Sequence, residues 1–290
     1  MIKHYLKVAF RNLMKYKTQS LVSIIGLAVG FTCFALSALW IRYEMTYDNF
    51  HEGADRIYLV RAHYANEPGT SKFTPYPLMK YLQDKMPEIE AVTAFTAHHV
   101  KFRMEDTEQE IGMIAADSVF MNFFDIQLLK GTVNFLKCDG QEVAITKEFA
   151  KRLFSKEEDA LGKEVEVGRR VCKIGAIVSG WSNHSNIPYN ILAPARHSPR
   201  WGSSNEQLFI RVRERTDIDV FRTKMSTIRI NDIEKESELS DLLITRMSAL
   251  RYSDYVDKAD VVISFSYIFY FSLAGGLVII CSLFNYLTLF

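Results

Sequence analysis

The chain has 290 residues, enough for one or two domains besides any membrane segment, and its 35 basic and 34 acidic residues give a net charge of only +1. That balance hides an asymmetry: residues 1–20 carry Lys3, Lys7, Arg11, Lys15 and Lys17 and no acid, which leaves 30 basic and 34 acidic residues, a net −4, in the other 270. A basic pole beside an apolar run is a membrane signature, and the lack of a recurring basic stripe further on excludes nucleic acid as a partner.

In chain order, residues 1–18 read as an amphipathic cytoplasmic helix. Lys3, Lys7, Arg11 and Lys15 recur every four residues, opposite Ile2, Leu6, Ala9, Phe10 and Leu13. That pattern suits a helix lying flat on membrane lipid with its basic face toward anionic headgroups. A transmembrane helix follows at 19–43, around the uncharged run Leu21–Ile41. As helix this run spans about 31 Å, against roughly 30 Å of hydrocarbon. A cleaved signal peptide is the alternative, but the run is longer than the usual h-region. Within it, Gly26-x-x-x-Gly30 sets two small residues on one face, where another helix can approach closely. The five basic residues stay in the cytoplasm by the positive-inside rule, which puts residues 44–260 outside.

The chain leaves the membrane through "TYDNFHEGADRIYLVR", residues 46–61. Its acids and histidine do not make a metal loop. Counted from Asp48, an EF-hand needs a side-chain ligand at position three and Glu at twelve, and these hold Phe50 and Leu59. His51-Glu52 has Asp55 where a zinc-protease helix needs its second His. The stretch therefore reads as a solvated turn leading into a strand.

Beyond it, strand-like and helix-like segments alternate, giving an α+β outer domain. Residues 56–65 read as a strand, Thr74-Pro75 as the start of a helix ending before Pro87, and 92–104 as a second strand. An aromatic helix follows Asp117 and runs toward Gly131. "EVAI" reads as a strand, Thr146 as the start of a helix, and "KEVEV" and "VCKIGAIV" as a hairpin about Gly168. "LFIRVRE" is then a strand, and Asp217 opens a helix with Phe221, Met225 and Ile228 on one face. A strand–helix unit on each side of an inserted block predicts two subdomains, the outer one at 136–204. Residues 261–290 carry no charge over 30 positions, about 45 Å of helix, and read as a stalk and second transmembrane helix.

No catalytic constellation, cofactor site or metal site emerges. A P-loop and a G-x-S-x-G elbow are absent, and His98-His99, in a strand, point to opposite faces. Cys33 and Cys281 lie in the apolar runs. For Cys138 and Cys172 the compartment permits a disulfide, with two separate thiols the alternative.

With these residues placed, "KHYLKVAFRNLMKYK", "IIGLAVGF", "YDNFHEGADRIYLVR", "TPYPLMKYLQDKMPEIEAV", "ADSVFMNFFDIQLLKG", "ITKEFAKRLF", "ALGKEVEV" and "SLFNYLTLF" occur in the order found in one family. The chain resembles the MacB/FtsX-type permeases of ABC transporters that carry a MacB-like periplasmic core domain. The resemblance implies a multi-pass protein of the bacterial inner membrane with a periplasmic domain of two α+β subdomains. It implies further membrane helices beyond Phe290, so the sequence reads as the N-terminal part of a longer permease or as a truncated product. The implied partners are a cytoplasmic ABC ATPase, a second permease copy or homologue, membrane lipid and, in some members, a periplasmic adaptor. The implied activity is mechanical: ATP hydrolysis in the partner moves the outer domain to export a substrate or release it from the membrane. A two-helix sensor with an extracytoplasmic ligand-binding domain is the competing class.

Overall fold

The computed structural model describes residues 11, 14–15, 17–64, 69–105, 107–137, 141–181, 184–228, 239–252 and 265–287. Its contacts divide the chain into two units, residues 1–46 with 262–290 and residues 47–261. Most of the expected cytoplasmic helix lies outside the described residues; Arg11, Met14 and Lys15 are helical. Helix α1, Lys17–Met45, is longer than the expected 19–43. Two of its hydroxyls are satisfied within the helix, Thr32 Oγ1 donating to the Ala28 carbonyl and Ser37 Oγ to that of Cys33, both at 2.8 Å. This back-bonding lets polar residues sit in an apolar segment. The stretch Ser20–Met45 is long and apolar enough to cross a membrane.

The second unit opens with strand β1, Ile57–Tyr64, then β2, Thr70–Ser71, and β3, Thr74–Pro75. The helix expected from Thr74-Pro75 is displaced by one short step. Thr74 and Pro75 pair as strand with Glu206 and Ser204, and helix α2, Pro77–Lys85, starts on the second proline. Pro77 suits that first position because its missing N–H would be unsatisfied there anyway. Leu78 and Leu82 are the buried face of α2. Strand β4, Ile89–Met104, is sixteen residues long and leads into β5, Thr107–Ala116. Helix α3, Ser118–Phe123, is capped by Asp117, whose carboxylate accepts from the amides of Val119 and Phe120. It ends well before Gly131, and Leu128–Gly131 form strand β6 instead.

Strand β7, Glu142–Thr146, runs into helix α4, Lys147–Leu153, with the Thr146 hydroxyl accepting from Phe149 N–H as N-cap. Strands β8, Glu164–Val167, and β9, Arg170–Val178, form the hairpin about Gly168, whose φ of +65° opens the two-residue turn. Strand β10, Ile191–Pro194, and β11, Ser204–Val212, precede helix α5, Ile218–Ser226, capped by the Asp217 carboxylate. Strand β12, Leu239–Arg246, completes the described sheet.

The strand order is β12-β1-β11-β4-β5-β10-β7-β9-β6, with β2, β3 and β8 attached to the side. The sheet is mixed: β10 pairs β5 and β7 pairs β9 in parallel. The two ends share one strand, β4. Its first half pairs with β11 and its second with β5 and β8. The outer end thus recruits β5, β6 and half of β4 to the strands of the 136–204 block. One core sits under α2 and α5 around Leu78, Leu82, Phe221 and Met225. A second holds Phe102, Ile145 and Phe149 under α4. Between them Phe95, Phe120, Phe124 and Phe209 pack ring to ring. Each fully buried phenylalanine contributes about 1.5–3 kcal/mol of transfer free energy.

The last helix, α6, Phe265–Leu287, belongs with α1. The two run antiparallel: Gly30 faces Val278, Phe34 faces Gly275, and the Trp40 ring meets Phe271 edge to face at 5.7 Å.

Candidate functional site

The short loop that follows α1 is built around Asp48. Its backbone has φ 57°, a left-handed conformation that Asp tolerates better than most residues. The side chain is fully buried, which corrects the reading of this stretch as a solvated turn. Its carboxylate accepts from Ser185 Oγ at 2.5 Å, from Asn186 N–H at 3.1 Å and from Asn186 Nδ2 at 2.6 Å. Asp48 N–H donates to the His184 carbonyl at 3.2 Å. Burial pushes the carboxyl above its ordinary value, while the bonds from Ser185 and Asn186 and the neighbouring His184 pull it back down.

The same loop is tied to a third segment. Asn186 Nδ2 also reaches the Met247 carbonyl at 3.4 Å, and the Arg251 guanidinium lies 4.2 Å over the Tyr47 ring. Residues 47–51 continue from α1, 184–187 connect β9 to β10, and 247–252 follow β12 on the way toward α6. The outgoing and returning chains are therefore fastened to one loop. The arrangement holds the three segments together.

A second polar cluster lies across the domain. His197 stacks on Tyr76 with ring centroids 4.0 Å apart and planes 5° apart. Its Nδ1 lies 3.2 Å from Glu206 Oε1 and its Nε2 3.8 Å from Asp117 Oδ2. Burial opposes the imidazolium, but the two carboxylates outweigh it and raise His197 to about 9. Asp117 is also the cap of α3, so one carboxylate orients a helix and holds a cation. A histidine between two carboxylates suggests metal or acid–base chemistry, yet among the described residues no group of three or more His, Cys, Asp or Glu could hold a metal ion. The cluster fastens the 195–203 connection to β11, α2 and α3. Sequence reasoning missed it because residues 76, 117, 197 and 206 share no local pattern.

The predicted site residues fall as follows. Gly30 is buried in α1 and Gly26 half-buried, one turn apart. A Cβ on Gly30 would lie 2.9 Å from Val278 Cγ1 and 3.3 Å from the Ile279 backbone nitrogen. Cys172 is buried in β9, its thiol 4.0 Å from the Arg170 carbonyl oxygen; Cys138 lies outside the described residues, and so does any pairing of the two. His98 and His99 are exposed on β4.

Residues 20–228, more than two thirds of the chain, match the family described as the MacB-like periplasmic core domain. The chain belongs to that family. Among solved structures, the MacB-like fold recurs in a domain of a protein assigned as a permease from Porphyromonas gingivalis. The two are 19% identical with a TM-score of 0.55, over 68% of this chain and 92% of that one. At that identity the likeness is one of fold. Weaker likenesses are the periplasmic region of MacB from Actinobacillus actinomycetemcomitans and the extracellular domain of the noncanonic ABC-type transporter YknZ from Gram-positive bacteria. The first has 13% identity, a TM-score of 0.48 and coverage of 69% and 93%. The second has 15%, 0.47, and 65% and 99%. No curated protein matches the chain. The MacB-like core and the apolar helix α1 make this a membrane-anchored protein of the ABC-transporter permease type.

Proposed function

We propose that this chain is a permease subunit that couples ATP hydrolysis by a separate cytoplasmic ABC ATPase to movement of its outer domain. That movement exports a substrate or releases it from the bacterial inner membrane. The chain works as a dimer with a second permease copy or homologue, its N-terminus in the cytoplasm and α6 as a second membrane helix. It supplies no phosphate-binding loop of its own, so it neither binds ATP tightly nor hydrolyses it. The observation that carries this reading, beside family membership, is the fastening of the outgoing segment at Asp48 and the returning segment at Met247 and Arg251 to one loop. Movement of the segment that enters this unit and of the segment that leaves it is then shared through that loop.

The test is isolation of the tagged, cross-linked protein from its native membranes. An ABC ATPase should accompany it; a signalling kinase in its place would overturn the proposal in favour of a sensor. Topology is checked in a background lacking the native cysteines. A membrane-impermeant thiol reagent on spheroplasts should label Asn66→Cys and spare Thr18→Cys, and the reverse would remove the reading altogether.

A further inference from the structure

Beside the Asp48 loop lies an open cleft of about 410 Å³. Its walls include Phe50, His51, Phe124 and Trp181, with Glu52 and Asp125 at the exposed margin. The rings form a continuous set: Phe50 to His51 at 4.2 Å, His51 to Trp181 at 4.8 Å, His51 to Phe124 at 5.0 Å and Phe124 to Trp181 at 5.1 Å. Trp181 is fixed by its Nε1–H donating to the Ile187 carbonyl at 2.9 Å.

Three features call for an occupant. Phe50 keeps 44% of its surface exposed in a cleft that Phe124 and Trp181 also line. His51 is nine-tenths buried, and its Nε2 has no hydrogen-bond partner among the described residues. Among the described residues, Glu52 and Asp125 have no ion-pair partner and no lysine or arginine lines the cleft. The cation that acts on His51 is Arg211, which is committed elsewhere, lying 5.0 Å over the Phe123 ring and donating to its carbonyl.

Aromatic faces attract cations through their quadrupoles, and the attraction grows where water is displaced. Two carboxylates at the margin add Coulombic selection for the same sign. We infer that the cleft is a binding site for an organic cation with an apolar or aromatic body, the ammonium between Glu52 and Asp125 and the body against Phe50, Phe124 and Trp181. The site does not depend on the transport reading. Because Phe50, His51 and Glu52 directly follow the Asp48 loop, occupancy acts on the segment that leaves α1.

Trp181 reports on its own cleft. In the intact chain in non-ionic detergent, with Trp40→Phe and Trp201→Phe, its fluorescence is titrated with 4-phenylbutyltrimethylammonium. Phenylbutanesulfonate and phenylbutanol supply the same body with opposite and no charge. The cation should give a saturable change, the alcohol bind about tenfold more weakly and the sulfonate not at all. Glu52→Gln with Asp125→Asn should bring the cation down to the alcohol. Both side chains are exposed, and Asn accepts the left-handed backbone of Asp125 (φ 53°), so the variant keeps its fold and its unliganded Trp181 emission. An equal response to all three compounds, no saturable response, or undiminished cation binding in the double variant would overturn the site.

Discussion

Asp48 and Asn186 are joined twice, by the backbone N–H of Asn186 at 3.1 Å and by its side-chain amide at 2.6 Å, across 138 positions of sequence. A single carboxylate thus holds the first turn of the outer domain to a loop reached only after nine strands, and Ser185 adds a third donor.

Replacing Asp48 by Ala leaves those donors buried without an acceptor. The expected loss is about 2–4 kcal/mol in denaturant unfolding. Asp48→Asn keeps one acceptor oxygen and a side chain that tolerates φ 57°, and should lose about half as much. Equal losses for Ala and Asn would mean that the carboxylate accepts little there.

Alkaline pH should weaken the domain through His197. Its folded value, about 9, lies above the ordinary 6.5, so its contribution is complete below pH 6.5 and is lost as pH rises through about 9. The full span corresponds to about 3 kcal/mol. Unfolding free energies measured between pH 6 and 10 should fall in the wild type, and His197→Gln should flatten that slope.

Acid should act through His51 with the opposite sign. Burial and then Arg211 depress it to about 4, so its contribution is complete above pH 6.5 and disappears as pH falls through about 4. His51→Phe keeps the ring against Phe124 and Trp181 and removes the titration. Its stability should decline less than that of the wild type between pH 6.5 and 4, measured on the same denaturant curves.

Gly26→Leu with Gly30→Leu should part α1 from α6, because the Gly30 face has no room before Val278 and Ile279 and lipid supplies no drive to restore contact. A short bifunctional thiol cross-linker between Trp40→Cys and Phe271→Cys, in a background without native cysteines, reads this directly. The yield should drop several-fold while the outer domain keeps its protease resistance. An unchanged yield would place the glycines outside the contact.

The failures of sequence reasoning share one cause. Thr74-Pro75 has the better capping chemistry, yet Glu206 and Ser204 draw that pair into the sheet and the helix starts on Pro77 without a side-chain cap. Strand β5 folds straight back on β4, but β10 and β12 carry no turn chemistry as sharp as that at Gly168, and each finds its partners far along the chain. Asp48 in "YDNFHEGADR" looked solvated, as Glu52 and Asp55 are, because nothing nearby in sequence could bury it.

By itself the sequence determined what short-range physics governs. An uncharged run longer than the bilayer core had to be a helix; Asp117, Thr146 and Asp217 had to cap, because their carboxylates and hydroxyl reach the free amides two or three residues on. Small residues at Gly26 and Gly30 lie on one side because the helical repeat puts them there. Tertiary structure alone decided the long-range pairings: β4 shared between both ends of the sheet, His197 set between Asp117 and Glu206, and Asp48 closed onto Ser185 and Asn186. Such contacts depend on which loops the finished sheet brings within about 3 Å, and hydrogen bonding has no range beyond that to leave a mark on neighbouring residues.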